Sequence, residues 1–495
     1  MTCNAAVELL TANLAGDRGE RIAYIDRDGS HSYRTLADRS WQFAHLLGTA
    51  GIAPGQRLLL ALEDTVAFPI CFLGALRAGV VAVPLNTLLT AADYRFIAED
   101  SGAVAVVASA ALIERMPTGL LQFGVNSDAA GWRDLAEELS GQPATPVQPL
   151  SGGDDVAFWL YTSGTTGKPK GVMHSHANLL ATAAHYGREV LGLSDQDVVY
   201  SAAKLFFAYG LGNALTFPLA AGATVVLLDT APPRPEAVRA ILEQHQPTVF
   251  FGVPTLYARL LNTGNVPRGH RLRLCVSAGE ALPEAILQRW REAAGVAILD
   301  GIGSTEMLHM YLSNHDGEVR PGTSGTPLEG YQVKILDESG NEVLDGQMGD
   351  LYVAGPSRTL GYWNRPDLNT ATFEGAWMRT GDKYVRKESG AYAYCGRSDD
   401  LLKVGGIYVS PLEVENMLLE HEAVAEAAVV GQADKDGLIK PKAYVVAKSA
   451  RIDAQILIDF VAHRLAVYKR PRWVEFVNEL PKTATGKIQR YKLRG

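Results

Sequence analysis

Between residues 57 and 303, short apolar runs that end in Gly, Pro or Asp alternate with helix-length amphipathic segments, and this alternation limits the fold more than any other feature. The runs are RLLLAL (57–62), VVAVPL (80–85), VAVVA (104–108), TVVLL (224–228), TVFFGV (248–253) and VAILDGIG (296–303). Segments such as PEAVRAILEQH and LPEAILQRWREA lie between them, with apolar residues at helical spacing. Strands without polar alternation are buried on both faces, so the pattern predicts parallel sheets flanked by helices, an α/β fold. After about Gly325 the texture changes to alternating strands and turns, as in GDLYVAG and YVRKESGAYAYCGR, which predicts a β-rich subdomain over about 325–396. From about Arg397 a compact unit of helix, strand, strand, helix, strand follows. A chain of 495 residues is too long for one ordinary core, and two to four domains are expected.

The formal charge of −8 argues against a broad nucleic-acid surface, which needs clustered cations to neutralise phosphates. Cys3, Cys71, Cys275 and Cys395 are scattered without metal-like spacing, as expected of thiols in a reducing compartment. The N-terminal MTCNAAVELL has no basic segment ahead of a long apolar run, so a cytoplasmic protein is expected. The most apolar window, residues 65–76, is far shorter than the roughly 20 residues that span a bilayer. It reads as a buried helix, and no membrane insertion is expected.

The chemistry is concentrated in YTSGTTGKPKG, residues 161–171. Its backbone N–H groups, hydroxyls and lysines suit an anion such as a phosphate, placed between the apolar run VAFWLY and a helix starting near His176. A Walker-type loop is excluded by spacing, because Gly164 and Gly167 are too close and Pro169 follows Lys168. Taken alone, the same cluster is equally a flexible surface loop.

Four further motifs follow in order: GIGSTEM (301–307), RTGD (379–382), GRSDDLLKVGGIYVSP (396–411) and PKTATGKIQR (481–490). With the loop, they resemble the adenylate-forming superfamily of acyl-CoA synthetases, luciferases and peptide-synthetase adenylation domains. The segments KLFFAYG, SAGEALP, DGIGSTEMLH and LPKTATGKIQR are most similar to its benzoate-CoA ligase group. The resemblance implies a large N-terminal domain (1–396) of two α/β subdomains plus the β-rich one, a hinge at 397–402 and a small mobile α+β domain (403–495). It implies that ATP and Mg²⁺ activate a carboxylic acid as acyl-AMP, and that coenzyme A then takes the acyl group.

Residue by residue, the resemblance gives the β- and γ-phosphates of ATP to Thr162, Ser163, Gly164, Thr165, Thr166, Gly167 and Lys170. Adenine goes to Gly279, Glu280, Ala281, Asp300, Gly301 and Ile302, and the ribose to Asp382 with Arg397 nearby. Glu306, beside Thr305, and Thr165 are expected at the Mg²⁺. By the resemblance Lys487 is the expected catalytic cation, bridging the incoming carboxylate and the α-phosphate; on residues alone it reads as a solvated lysine near Lys482, Arg490, Lys492 and Arg494. Asp399 is the expected pivot.

Phe207, Ala208, Tyr209 and Gly210, with Ala278, Gly303 and His309, fall where relatives bind the acid. Phe207 stands where many relatives carry His, so a carboxylate-steering role at that position does not transfer. Flat aromatic walls suit benzoate or a close substituted benzoate, and His309 suits the distal end of the ring; on residues alone the aromatic residues and the lone His read as core. A second acceptor stays open: a stand-alone adenylation enzyme loading a carrier protein's phosphopantetheine thiol, although the chain ends eight residues after Lys487. A monomer or a homodimer is compatible with these residues.

Overall fold

The apolar window becomes the helix Ala67–Arg77, in which Phe68 and every following residue is buried. It packs on the helix Tyr33–Thr49. Gly74 permits the close crossing: a Cβ there would lie 2.6 Å from the Ser40 carbonyl oxygen. Phe68 stacks on Phe72 at 6.1 Å, and Phe72 meets Phe158 edge-on at 5.4 Å. Burying each of these rings stabilises the fold by about 1.5–3 kcal/mol.

The computed structural model describes residues 3–163, 169–230, 232–267, 269–398, 400–404, 407–435, 437–448, 452–482 and 488–494. Among them, two large sheets share one buried cluster with the two helices: Leu58, Ala82, Val107 and Phe158 come from one sheet, and Ala23, Tyr24 and Val225 from the other. In the first, the parallel neighbours Leu121–Val125, Ala105–Ser109, Arg57–Ala61, Val81–Pro84 and Val156–Ser163 are completed by antiparallel strands at one edge. In the second, Thr224–Val226, Val198–Ser201, Val249–Gly252, Leu274–Ser277 and Ile298–Gly303 run parallel, again with antiparallel edges. The apolar runs therefore occupy the central positions that their lack of alternation predicts.

The β-rich segment forms an antiparallel sheet of Gln332–Leu336, Met348–Ala354, Phe373–Glu374, Trp377–Arg386 and Tyr392–Arg397. In the C-terminal unit, Ile439–Ala447 pairs antiparallel with Val424–Ala433 and parallel with Trp473–Phe476. The helices Pro411–Leu419 and Ala454–Ala462 share its buried cluster. Among the described residues, no helix is long and apolar enough to cross a membrane.

One local reading changes. The helix expected near His176 begins there, but the segment ahead of it is a strand, Pro169–Ser175, which forms an antiparallel hairpin with Val156–Ser163. Gly361–Tyr362 pairs with the outer side of this strand, which supplies the partner that local sequence cannot show. Ser175 then caps the helix His176–Thr182 in a reciprocal box with Asn178.

His176 ties this region to the N-terminus. Its Nδ1 accepts from the Ala5 N–H at 3.3 Å, so Nε2–H is left to donate to Ser151 Oγ at 3.0 Å. Burial pushes its pKa down to about 4, because the charged ring loses its hydration there. The unfolded chain thus binds the proton more readily than the fold, and stability falls as the pH drops from about 6.5 towards 4. Melting temperatures of wild type and His176→Gln at pH 7 and 4.5 should converge at the lower pH; parallel curves would discount this site.

Candidate active site

An open cleft of about 820 Å³ lies where the two large sheets, the antiparallel sheet and the C-terminal unit meet. Its first wall is the hairpin. Thr162 and Lys170 are cross-strand partners and both line the cleft, and Ser163 closes the described part of the ladder opposite Pro169. The hairpin base is fixed from outside: Tyr161 Oη donates to Asp100 at 2.6 Å, and Trp363 packs at a tilt against Trp159, 4.7 Å between ring centres, while donating to the Asp100 carbonyl. Gly164, Thr165, Thr166 and Gly167 lie outside the described residues.

The second wall is the carboxyl end of the parallel sheet. Asp300, Gly301, Ile302 and Gly303 end one strand, and Gly279, Glu280 and Ala281 follow its neighbour, as ligand sites in open α/β sheets require. Gly279 has φ of +90°, a conformation that leaves its turn open to the cleft. Asp300 is buried, and its Oδ1 has no hydrogen-bond partner among the described residues. Burial drives its pKa well above the usual carboxylate range, although the Leu282 and Gly301 N–H groups favour the charged form.

Thr305 and Glu306 continue this wall. The Thr305 carbonyl is held by His174 Nε2 at 2.8 Å, and Glu306 Oε1 accepts from Tyr362 Oη at 2.7 Å. The same oxygen lies 3.4 Å from Lys170 Nζ, which also sits 3.9 Å above the Tyr362 ring. Opposite, Asp382 and Arg397 face each other across the antiparallel sheet, with 3.3 Å between Arg397 Nη1 and Asp382 Oδ1.

The C-terminal unit closes the cleft. Residues 481–482 and 488–489 run alongside each other, through the bridge Lys482–Ile488 and the Gln489 N–H to Pro481 O bond of 2.8 Å. The Ile488 N–H donates to Glu280 Oε1 at 3.1 Å, across the junction with the N-terminal domain. Arg490 makes bonds of 3.0 and 2.6 Å to the buried Glu415, which also accepts the Val429 N–H at 2.7 Å. Removing one partner of such a buried pair costs about 3–5 kcal/mol, so the segment is firmly tied to its own domain. Lys487 lies outside the described residues, as does Asp399. Beside Asp399, Ser398 donates to Asp350 at 2.9 Å, and Asp400 pairs with Arg490 and Arg494.

Phe207, Ala208, Tyr209, Gly210, Ala278 and His309 do not line the open cleft, which ends on this side at Gly303. Tyr209 and His309 meet behind the Ile298–Gly303 strand at 5.5 Å, and Ala278 belongs to the buried cluster that Tyr209 packs against. Tyr209 Oη is directed to the Gly252 and Val276 carbonyls at 3.3 and 3.4 Å. His309 Nε2 faces Asn213 Oδ1 at 3.1 Å, and its ring is enclosed by Tyr186, Tyr209 and Phe217. Burial pushes its pKa down to about 3, so the ring is neutral. Phe207 packs on Phe206 at 4.6 Å, against the other core cluster.

Sequence reasoning missed Tyr362, His174 and the Arg490–Glu415 pair. Tyr362 sits in a two-residue strand without periodicity, and the others act through partners distant in the chain.

Residues 11–363 match the family model described as AMP-binding enzyme, and residues 413–487 match its C-terminal domain. The chain belongs to the AMP-binding enzyme family. It is 51% identical to a benzoate–CoA ligase of Thauera aromatica, over 99% of this chain and 95% of that protein. It is 46% identical to a 4-hydroxybenzoate–CoA/benzoate–CoA ligase of Rhodopseudomonas palustris, over 99% and 94%. The crystal structure of a benzoate CoA ligase from Burkholderia xenovorans superposes with a TM-score of 0.93 at 48% identity, covering 99% of this chain and 100% of that one.

Proposed function

We propose that this protein is an ATP-dependent, AMP-forming aryl-CoA ligase acting on benzoate or a close substituted benzoate. The observation that carries this reading is the convergence on one cleft of Lys170 with Glu306, Asp382 with Arg397, and Ile488, the neighbour of Lys487. The extent of identity to benzoate–CoA ligases supports the choice of acid and of CoA.

In the first step a carboxylate oxygen bonds to the α-phosphorus while the bond to pyrophosphate breaks. Two anions must meet, so preorganised positive charge supplies much of the rate. Lys170 serves the phosphate side and Lys487 the carboxylate and α-phosphate. Asp382 accepts from the ribose hydroxyls, and the unpartnered Asp300 oxygen takes the adenine amino group.

Among the described residues there is no group of three or more His, Cys, Asp and Glu side chains that could hold a metal ion. A nucleotide-borne Mg²⁺ needs only one or two protein oxygens. The ammonium already beside Glu306 shows that this carboxylate can face a cation in the cleft. Glu306, with Thr165, would hold Mg²⁺, which when bound neutralises phosphate oxygens. In the second step the CoA thiol loses its proton, its sulfur bonds to the acyl carbon, and the bond to AMP breaks. Rotation about residues 397–402 exchanges the Lys487 segment for the Lys403–Val409 face between the steps.

Purified protein should catalyse benzoate-dependent exchange of labelled pyrophosphate into ATP, and should form benzoyl-CoA with free CoA. Exchange with thioester formed only on a carrier protein would favour the loading enzyme, and a preference for long-chain acids would overturn the aryl reading.

A further inference from the structure

The segment expected to wall the acid site, residues 204–210, is held by a buried ion pair that the chemistry above does not use. Lys204 and Asp64 are 5% and 3% exposed, with 3.6 Å between Nζ and Oδ2. The other carboxylate oxygen accepts the Leu205 N–H at 3.2 Å, and Lys204 Nζ also donates to the Leu228 carbonyl. Asp64 follows the strand Arg57–Ala61 of one large sheet, whereas Lys204 and Leu228 follow Val198–Ser201 and Thr224–Val226 of the other. The pair thus joins the carboxyl ends of strands from both sheets.

Its grip extends to the aromatic residues. The Lys204 carbonyl accepts the Phe207 N–H at 3.0 Å, and a Cβ on Gly210 would collide with that same carbonyl. Holding Lys204 and Leu205 therefore sets the turn that presents Phe206, Phe207 and Tyr209. A second layer of charge surrounds the pair: Arg27 lies 3.3 Å from Glu63 and 2.8 Å from Asp229.

Burying an ion pair is rarely the cheapest way to stabilise a core, and apolar side chains often do as well. We propose that Asp64 and Lys204 are positioning residues that hold the 204–210 segment in the form that binds the aromatic acid. This inference rests on the assignment of residues 207–210 to the acid site.

The test is steady-state kinetics of the full-length enzyme with benzoate, ATP and CoA. In Asp64→Asn, KM for benzoate should rise about tenfold while KM for ATP stays within about twofold. The double variant Asp64→Asn with Lys204→Met removes both buried charges, so its melting temperature should recover towards wild type while KM for benzoate stays raised. Recovery of both would reduce the pair to a stability element and overturn the proposal, as would equal rises in the two KM values. Phe207→Ala separates the layers. An unchanged benzoate KM there overturns the acid-site assignment and the inference with it. A raised KM there beside an unchanged one in Asp64→Asn overturns the clamp alone.

Discussion

Lys487→Ala should lower benzoate-dependent pyrophosphate exchange by about 10²- to 10³-fold, the usual effect of removing one preorganised charge from a transition state that gains negative charge. The same variant supplied with synthetic benzoyl-AMP and CoA should retain most of its thioester formation, because the proposed rotation about residues 397–402 withdraws the Lys487 segment before that step. The contrast matters because Ile488, the adjacent residue, is anchored through its backbone N–H to Glu280. That bond survives the substitution, so closure of the domain should persist and the loss should fall on chemistry rather than docking. Equal loss in both half-reactions, with an unchanged melting temperature, would refute the division of labour.

Glu306→Gln is expected to have the next largest effect, a fall in exchange of about 10²-fold together with a rise in the Mg²⁺ concentration needed for half-maximal rate. The substitution keeps the shape and an acceptor for the Tyr362 hydroxyl, now 2.7 Å from Glu306 Oε1. It removes the charge that faces Lys170 at 3.4 Å. A second readout is ATP binding without metal, followed by intrinsic fluorescence: freed of its carboxylate partner, Lys170 should hold metal-free ATP more tightly than in wild type. An unchanged Mg²⁺ requirement and unchanged metal-free binding would together remove Glu306 from this role.

What the chain discloses before folding depends on how far each partner lies along it. The central strands are legible because Leu58 to Ala61 or Val249 to Phe251 are buried on both faces, and burial leaves an apolar run whatever lies beside it. Asp382 and Arg397 are legible as members of short motifs, and a hairpin then makes them neighbours. The strand Pro169–Ser175 is not, since its pairing depends on Val156–Ser163 on one side and on Gly361–Tyr362 on the other. His174 reads as one more residue before a helix, yet it holds the Thr305 carbonyl 131 residues away. His309 and Tyr209 are recognisable as aromatic residues near the acid site, but their engagement with Asn213 and with the Gly252 and Val276 carbonyls is a product of tertiary packing.

The Lys170–Glu306 contact makes the cleft a selective acceptor of charge. A lone anion that captures Lys170 strands a carboxylate, and a lone cation that captures Glu306 strands an ammonium. On the function proposed above, a nucleotide carrying anionic oxygens together with its own counterion would part the two side chains and compensate both at once, so the protein would discriminate between charge states of its nucleotide before any bond is made or broken.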